Sequence, residues 1–263
     1  MAKAVFYLKQ AIRTVSRPLF AHRHPLPPQV EEIPVEITGL SAAFEGYTIA
    51  VVSDLHLPDN LCSPDDIIHT LTAIHPDSIL LPGDMANRYA AFDKQGLGHF
   101  FTELIKIAPC YAITGNHEQK SPDLAAYRQL LEAVGVNLLY DRWDTLIKSG
   151  DTLPIYGACT EKLPEKAEHT PSLLLVHNPV KAVKLQNSGF SLAVCGHAHG
   201  GQLRFGRQGL YAPGQGFFPK YTSGLYSFPF MQMVVSRGLG DSSITLRLNN
   251  PPHLPILKLK AKA

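Results

Sequence analysis

Short runs of Ile, Val and Leu punctuate the chain, and most of them stop at a glycine or a polar residue. YTIAVVSD, SILLPGD, CYAITGNHE, SLLLVHNP and LAVCGHAHGGQLRFG each read as a buried strand that delivers polar side chains to its end. EIPVEITGL reads as an earlier strand. Between the first of these strands the spacing turns helical. Residues 64–75 fit a helix opened by Ser63 as cap with Pro64 at its first position, and HFFTELIKIA fits a second. PDLAAYRQLLEAVG fits a third, capped by Ser121 and stopped by Gly135. CYAITGNHE is expected to be a strand plus a loop. The order β-α-β-α-β-α marks a largely parallel, helix-covered sheet.

The second half changes character. LPIYGACT, SLLLVHNP, LAVCGHAHGGQLRFG, FMQMVVSRG and SITLRL read as strands with short connections, and PHLPILKLKAKA as a segment that closes the domain. Its alternating Lys258, Lys260 and Lys262 suit a solvent-facing edge that resists further pairing. A parallel half followed by a more antiparallel half predicts an α/β fold of two packed sheets flanked by helices. No fixed-period repeat is visible.

The start of the chain is distinct. Val5, Leu8, Ile12, Val15 and Leu19 fall on one face of a helix, with Lys9, Arg13 and Arg17 to the side and no acid before Glu31. Such a basic amphipathic helix suits an anionic membrane surface, contacted through residues 1–25. A helix docked on its own domain and an organelle transit peptide share the pattern. The stretch HRHPLPPQVEEIP reads as an extended connector. Residues 1–30 are therefore expected to form helix and connector, and residues 31–263 one domain.

Composition narrows the choice. A hydrophobic content of 45% is ample for a core, and a net charge of +2 is too small to indicate a nucleic-acid partner. Cys62, Cys110, Cys159 and Cys195 are widely spread with no CxxC pair, which fits reduced thiols and argues against a thiolate zinc site. No apolar run is long enough to span a bilayer. The expectation is a cytoplasmic protein, or one peripheral on the inner face of the membrane.

The chemistry lies in the residues just past the strands. In order these are Asp54 and His56, Asp84, Asn116 and His117, His177, then His197 and His199. In Asp-x-His two ligands face the same side of an extended segment, because side-chain direction repeats every two residues, and Leu55 points back to the core. His197-Ala198-His199 repeats the spacing, and Gly196, Gly200 and Gly201 let the backbone pass close by. Asp84 has two oxygens and can bridge two cations. Seven ligands converging at one sheet edge would hold two divalent ions. Mixed His, Asp and Asn donors suit Mn, Fe or Zn better than Mg or Ca. Each motif alone is weak; the ordered set is specific.

That set (DxH, GD, GNHE, a lone His after a strand, then GHxH) resembles the signature of the calcineurin-like metallophosphoesterases, from about Tyr47 to about Leu257. GHAHGGQLR, SRGLGDSS and LRLNNPP are similar to the bacterial YkuE/YaeI-like branch, which includes phosphodiesterases and a pyrophosphatase acting on UDP-diacylglucosamine. The resemblance implies a four-layer α/β/β/α sandwich of two mixed sheets. It implies a first metal on Asp54, His56 and His199, a bridging Asp84, and a second metal on Asn116, His177 and His197. Manganese is the first expectation, with zinc or iron as alternatives. His117 would be a catalytic residue beside the scissile phosphate, and a hydroxide bridging the metals would cleave a phosphodiester or pyrophosphate bond. Asn87 departs from the family, many members of which carry an acid three residues after the bridging aspartate. Glu118 is read first as an exposed loop acid, and second as a group orienting His117.

Phe205 to Phe230 is dense in aromatics and glycines. It either walls the site, where it would receive acyl chains or a nucleobase, or packs a small core of its own. Gln202, Arg204 and Lys220 are candidates for contacting phosphate, Lys220 more simply a surface lysine. With the basic N-terminal helix, the loop favours a lipid-linked substrate such as UDP-diacylglucosamine at the membrane. A phosphomonoesterase or phosphoprotein phosphatase, a nuclease and a non-catalytic metal-binding protein are the competing readings.

Overall fold

The computed structural model describes residues 26–160, 171–240 and 247–262. The expected helix over residues 1–25 and the first four residues of the expected strand SITLRL lie outside the described residues. In chain order the elements are β1 (Gln29–Thr38), β2 (Thr48–Val51), α1 (Pro64–Ile74), β3 (Ser78–Leu81), α2 (Lys94–Ile107), β4 (Cys110–Ala112), α3 (Asn116–Gln119), α4 (Leu124–Val134) and β5 (Asn137–Leu138). Then follow β6 (Arg142–Lys148), β7 (Asp151–Ala158), β8 (Leu173–Val176), α5 (Pro179–Lys184) and β9 (Leu192–Cys195). Two short hairpins come next, β10 (Arg204–Phe205) with β11 (Gln208–Gly209), and β12 (Tyr211–Ala212) with β13 (Gly216–Phe217). The chain closes with β14 (Gly224–Ser227), β15 (Gln232–Val235) and β16 (His253–Lys262).

Two six-stranded sheets form, β1-β16-β2-β3-β4-β5 and β14-β15-β9-β8-β7-β6. The apolar runs explain why they stack. Along β2 and β3, Ala50, Ile79 and Leu81 face α1, α2 and α4, while Val51 and Leu80 face the second sheet. In β8, Leu173 and Leu175 face the first sheet, and Leu174 and Val176 face α5. A continuous hydrophobic run is thus two alternating faces, each buried. The result is the expected helix/sheet/sheet/helix sandwich. Each fully buried Leu or Ile contributes about 1.5–3 kcal/mol to it.

Several local readings change. The second sheet is not mainly antiparallel: β7, β8, β9 and β15 run parallel, and only its outer strands β6 and β14 pair antiparallel. Parallel neighbours need crossovers, and α5, capped by the Asn178 side chain with Pro179 in its first turn, supplies the one between β8 and β9. The proline-rich connector is half strand. Gln29–Pro34 belongs to β1, an edge strand, where the missing Pro34 N–H is tolerated. β16 is no edge: it lies between β1 and β2, and its exposed lysines project from a paired strand. The third expected helix begins at Leu124 with no side-chain cap. Ser121 instead accepts the Asp123 N–H at 3.1 Å, in the turn before it. Gly135 ends that helix in left-handed backbone, as expected.

Candidate metal centre

β2, β3, β4, β8 and β9 all end at one edge of the paired sheets, and the loops beyond them carry the eight polar residues read from the sequence. The loop after β2 is stitched to the loop after β3: Gly83 O accepts the Asp54 N–H and Asp84 O accepts the His56 N–H, both at 3.1 Å. From the other side, Asp54 O accepts the Gly240 N–H at 2.7 Å. A Cβ on Gly238 would lie 2.8 Å from the Asp54 Cβ, so this loop is the backing of Asp54.

The ligand segments are not extended, contrary to the expectation for Asp-x-His and His-x-His. The strands stop at Val51 and Cys195. Asp54, His56, Asp84, His197 and His199 then adopt left-handed backbone, with φ of 51°, 55°, 56°, 69° and 46°. Such residues persist where their surroundings over-determine them. Leu55 does turn into the core. Three glycines leave the necessary room. A Cβ on Gly196 would sit 2.3 Å from Asp54 Oδ2, one on Gly115 2.3 Å from Asp84 Oδ1, and one on Gly83 2.3 Å from the Gly115 N.

Two clusters result, and Asp84 of the second approaches His56 of the first. Asp54, His56 and His199 form one, with His56 Nε2 to His199 Nε2 at 3.2 Å and His199 Nε2 to Asp54 Oδ1 at 3.4 Å. Asp84, His177 and His197 form the other, with His177 Nε2 3.1 Å from both Asp84 Oδ2 and His197 Nδ1. Asp84 Oδ2 is also 3.9 Å from His56 Nε2, and its Oδ1 accepts the His117 N–H at 2.7 Å. His56, Asp84 and His117 form a third close group. Asn116 opens α3, and its Oδ1 is buried with no hydrogen-bond partner.

The electrostatics follow from burial. It pushes the Asp54 carboxyl up to about 6. It lowers His56 and His199 well below the usual histidine value and drives His197 down to about 3. For Asp84 burial also acts upward, but the charge of His177 and the bond to it outweigh burial and keep the carboxyl well below its usual value. His177 is burdened by burial too, yet Asp84 raises it to about 10. Pro82 O lies 2.8 Å from His177 Nδ1, which leaves Nε2 facing Asp84 and His197. Imidazole and carboxylate coordinate in their unprotonated forms, so cation binding here would release protons.

The donor set therefore fits divalent ions. It offers two carboxylates, four buried or nearly buried imidazoles whose nitrogens converge in pairs, and an unpartnered amide oxygen. Arg247 donates to His199 Nδ1 at 3.1 Å and to the carbonyls of Arg237 and Gly240 at 2.9 and 2.6 Å. Coordination through His199 Nε2 would place the ring proton on Nδ1 and displace that first bond.

The surrounding candidates divide. Glu118 is buried, neither an exposed acid nor a partner of His117. Its Oε2 accepts the N–H groups of Asp84 (2.9 Å) and Gly115 (2.8 Å), its Oε1 that of Ala86 (2.9 Å), and burial raises it to about 7. Asn87 donates to Asp59 at 2.7 Å. Arg204 is buried, donating to Gly200 O at 2.7 Å and Arg207 O at 2.8 Å, so it braces its loop rather than reaching phosphate. Gln202 is buried with φ 65°, and Lys220 is exposed. Arg88 and Arg247 were not singled out from the sequence. The Arg88 N–H points to His117 Nδ1 at 3.4 Å, and the Arg88 Nε is buried without a partner. Arg88 follows the GD motif by four positions and Arg247 opens the RL segment, which were the available signals.

The family model described as calcineurin-like phosphoesterase matches residues 47–201. The metallophosphoesterase YkuE of Bacillus subtilis is 29% identical over 83% of this chain and 80% of its own length. Phosphodiesterase YaeI of Escherichia coli is 28% identical over 81% and 82%. The UDP-2,3-diacylglucosamine pyrophosphatase LpxG of Chlamydia trachomatis is 24% identical over 82% and 84%.

Proposed function

The chain belongs to the calcineurin-like phosphoesterase family of metal-dependent hydrolases, and on that premise we propose that it cleaves phosphodiester or pyrophosphate bonds at a centre of two divalent ions. The observation that carries this reading is the position of Asp84 Oδ2, 3.1 Å from His177 in one ligand cluster and 3.9 Å from His56 in the other. Asp54, His56 and His199 would hold one ion, Asn116, His177 and His197 the other, and Asp84 both. Manganese, zinc and iron suit these donors. Bound there, the ions would withdraw charge from the phosphoryl oxygens and acidify the attacking water.

The protein's own groups do the rest. Glu118 fixes the main chain of Asp84 and Gly115, and so the spacing of the clusters. His117 accepts from the Arg88 N–H through Nδ1, which leaves Nε2–H to donate a hydrogen bond to the leaving oxygen and stabilise the charge that grows there. A lipid-linked nucleotide is the substrate class we favour. Similarity to LpxG supports it, as does the packing of the aromatic loop on the site: a Cβ at Gly214 would lie 3.9 Å from His197 Nε2. Residues 1–25 would hold the enzyme to an anionic membrane on the cytoplasmic side. No helix of the described residues is long and apolar enough to cross one.

Turnover of an aryl phosphodiester, an aryl phosphomonoester and UDP-diacylglucosamine under Mn, Zn and Mg tests the reading. The diester or the pyrophosphate should be cleaved faster than the monoester. A clear preference for the monoester would overturn it.

A further inference from the structure

Three of the most exposed large apolar side chains lie on the two small hairpins that follow His199. Phe205 is 69% exposed, Phe217 72% and Phe218 71%. The hairpins are joined to each other. Phe205 pairs with Gln208, the Gln208 side chain reaches Pro219 O at 3.2 Å, and the Phe218 N–H reaches Leu210 O at 2.8 Å. Phe218 is held in left-handed backbone, φ 53°, which a bulky side chain rarely adopts. The fold thus tolerates strain to present a phenyl ring to the outside. Clustered exposed aromatics of this kind mark an interaction surface.

Charge identifies the partner. From Glu168 to Asp241 the chain holds no acidic residue between those two, and Lys184, Arg207 and Lys220 are exposed cations within it; Arg204 and Arg237 are buried on partners inside the protein. An exposed cation follows an exposed ring by two positions in the turn of the first hairpin and just past the second, Arg207 after Phe205 and Lys220 after Phe218. Rings that enter the acyl boundary beside cations that meet headgroup phosphates are what an anionic bilayer surface binds.

We propose that these hairpins are a membrane-docking surface, in which Phe205, Phe217 and Phe218 insert into an anionic bilayer and Arg207 and Lys220 pair with its headgroups. The surface is continuous with the candidate centre. Gly201 O accepts the Leu210 N–H at 3.0 Å, and a Cβ on Gly201 would lie 2.5 Å from the Gly209 Cα, so the hairpins pack against the backbone just past His199. Docking therefore sets the mouth of the site at the lipid surface. This deepens the lipid-linked reading, but binding is measured apart from hydrolysis, so either can fail alone.

The test is sedimentation of the full chain with phosphatidylcholine vesicles, with and without phosphatidylglycerol. The wild type should sediment with the anionic vesicles. The triple variant Phe205→Ser, Phe217→Ser, Phe218→Ser should partition at least about tenfold more weakly. A Phe218→Trp variant, read in a Trp143→Phe background so that the native indole is absent, reports directly, whatever residues 1–25 contribute: the emission of the introduced indole should shift to the blue with anionic vesicles and be quenched by brominated lipid. Equal sedimentation of wild type and triple variant would overturn the proposal. So would an indole emission that vesicles do not change, including one already blue-shifted because a protein segment covers it.

Discussion

Glu118 holds the backbone of Asp84: its Oε2 accepts the Asp84 N–H at 2.9 Å, and the same oxygen accepts the Gly115 N–H at 2.8 Å. One buried carboxylate therefore ties the loop after β3 to the loop after β4, and with them Asp84 to the turn that carries Asn116. Glu118→Gln would set an amide against one of three backbone N–H groups. It should lower stability by about 1–3 kcal/mol in urea unfolding and reduce bound metal. Unchanged stability and metal content would show that the carboxylate is dispensable.

His117 lies beside both clusters through His56 and Asp84. His117→Ala should retain the ions and lose about 10²–10⁴-fold in rate, most severely with poor leaving groups. Metal analysis alongside turnover separates the roles. Loss of an ion would make His117 a ligand instead.

Gly196 has ordinary backbone, so alanine there meets steric conflict and no conformational strain. The new Cβ would lie 2.1 Å from Ser53 Oγ and 2.3 Å from Asp54 Oδ2. Gly196→Ala should cost about 1–3 kcal/mol and weaken the cluster of Asp54, His56 and His199 before the other. Thermal unfolding and metal titration give the two readouts. Wild-type values in both would remove Gly196 from the account.

Behind the loop that backs Asp54, His253 accepts the Arg237 N–H through Nδ1 at 3.2 Å and donates from Nε2 to Glu31 at 2.8 Å. Burial outweighs that bond and lowers His253 from 6.5 to about 4. Its folded form resists a proton that the unfolded chain accepts, so stability is complete above about pH 6.5 and falls as pH drops toward 4. Glu31, held at about 2, stays ionised through this window. In urea midpoints measured without metal, His253→Phe should be less stable at neutral pH but flatter between pH 6.5 and 4. The slope difference should not exceed about 1.4 kcal/mol per pH unit. Parallel slopes would contradict the linkage.

Much of this arrangement was legible in the sequence because it rests on local patterns. Runs such as SILL and SLLLV, each ending at a chemically active residue, foretold both the buried strands and the edge where Asp84 and His177 meet. What pattern could not carry was pairing. Lys258, Lys260 and Lys262 look like an edge because alternation reports faces and not neighbours, and β1 covers that strand. Glu118 looked exposed because an acid in a loop usually is. Its burial depends on three N–H groups brought together by the tertiary fold. The left-handed turns at Asp54 and His199 were hidden for a similar reason: the contacts that impose them come from loops distant in sequence.

The central claim is that Asp84 is common to two ions. Anomalous diffraction from crystals grown with manganese, compared between wild type and Asp84→Ala, tests it directly. Two peaks are predicted in the wild type, one among Asp54, His56 and His199 and one among Asn116, His177 and His197, with Asp84 between them and both weakened in the variant. A single peak, peaks outside these clusters, or full occupancy of both without the Asp84 carboxylate would contradict it.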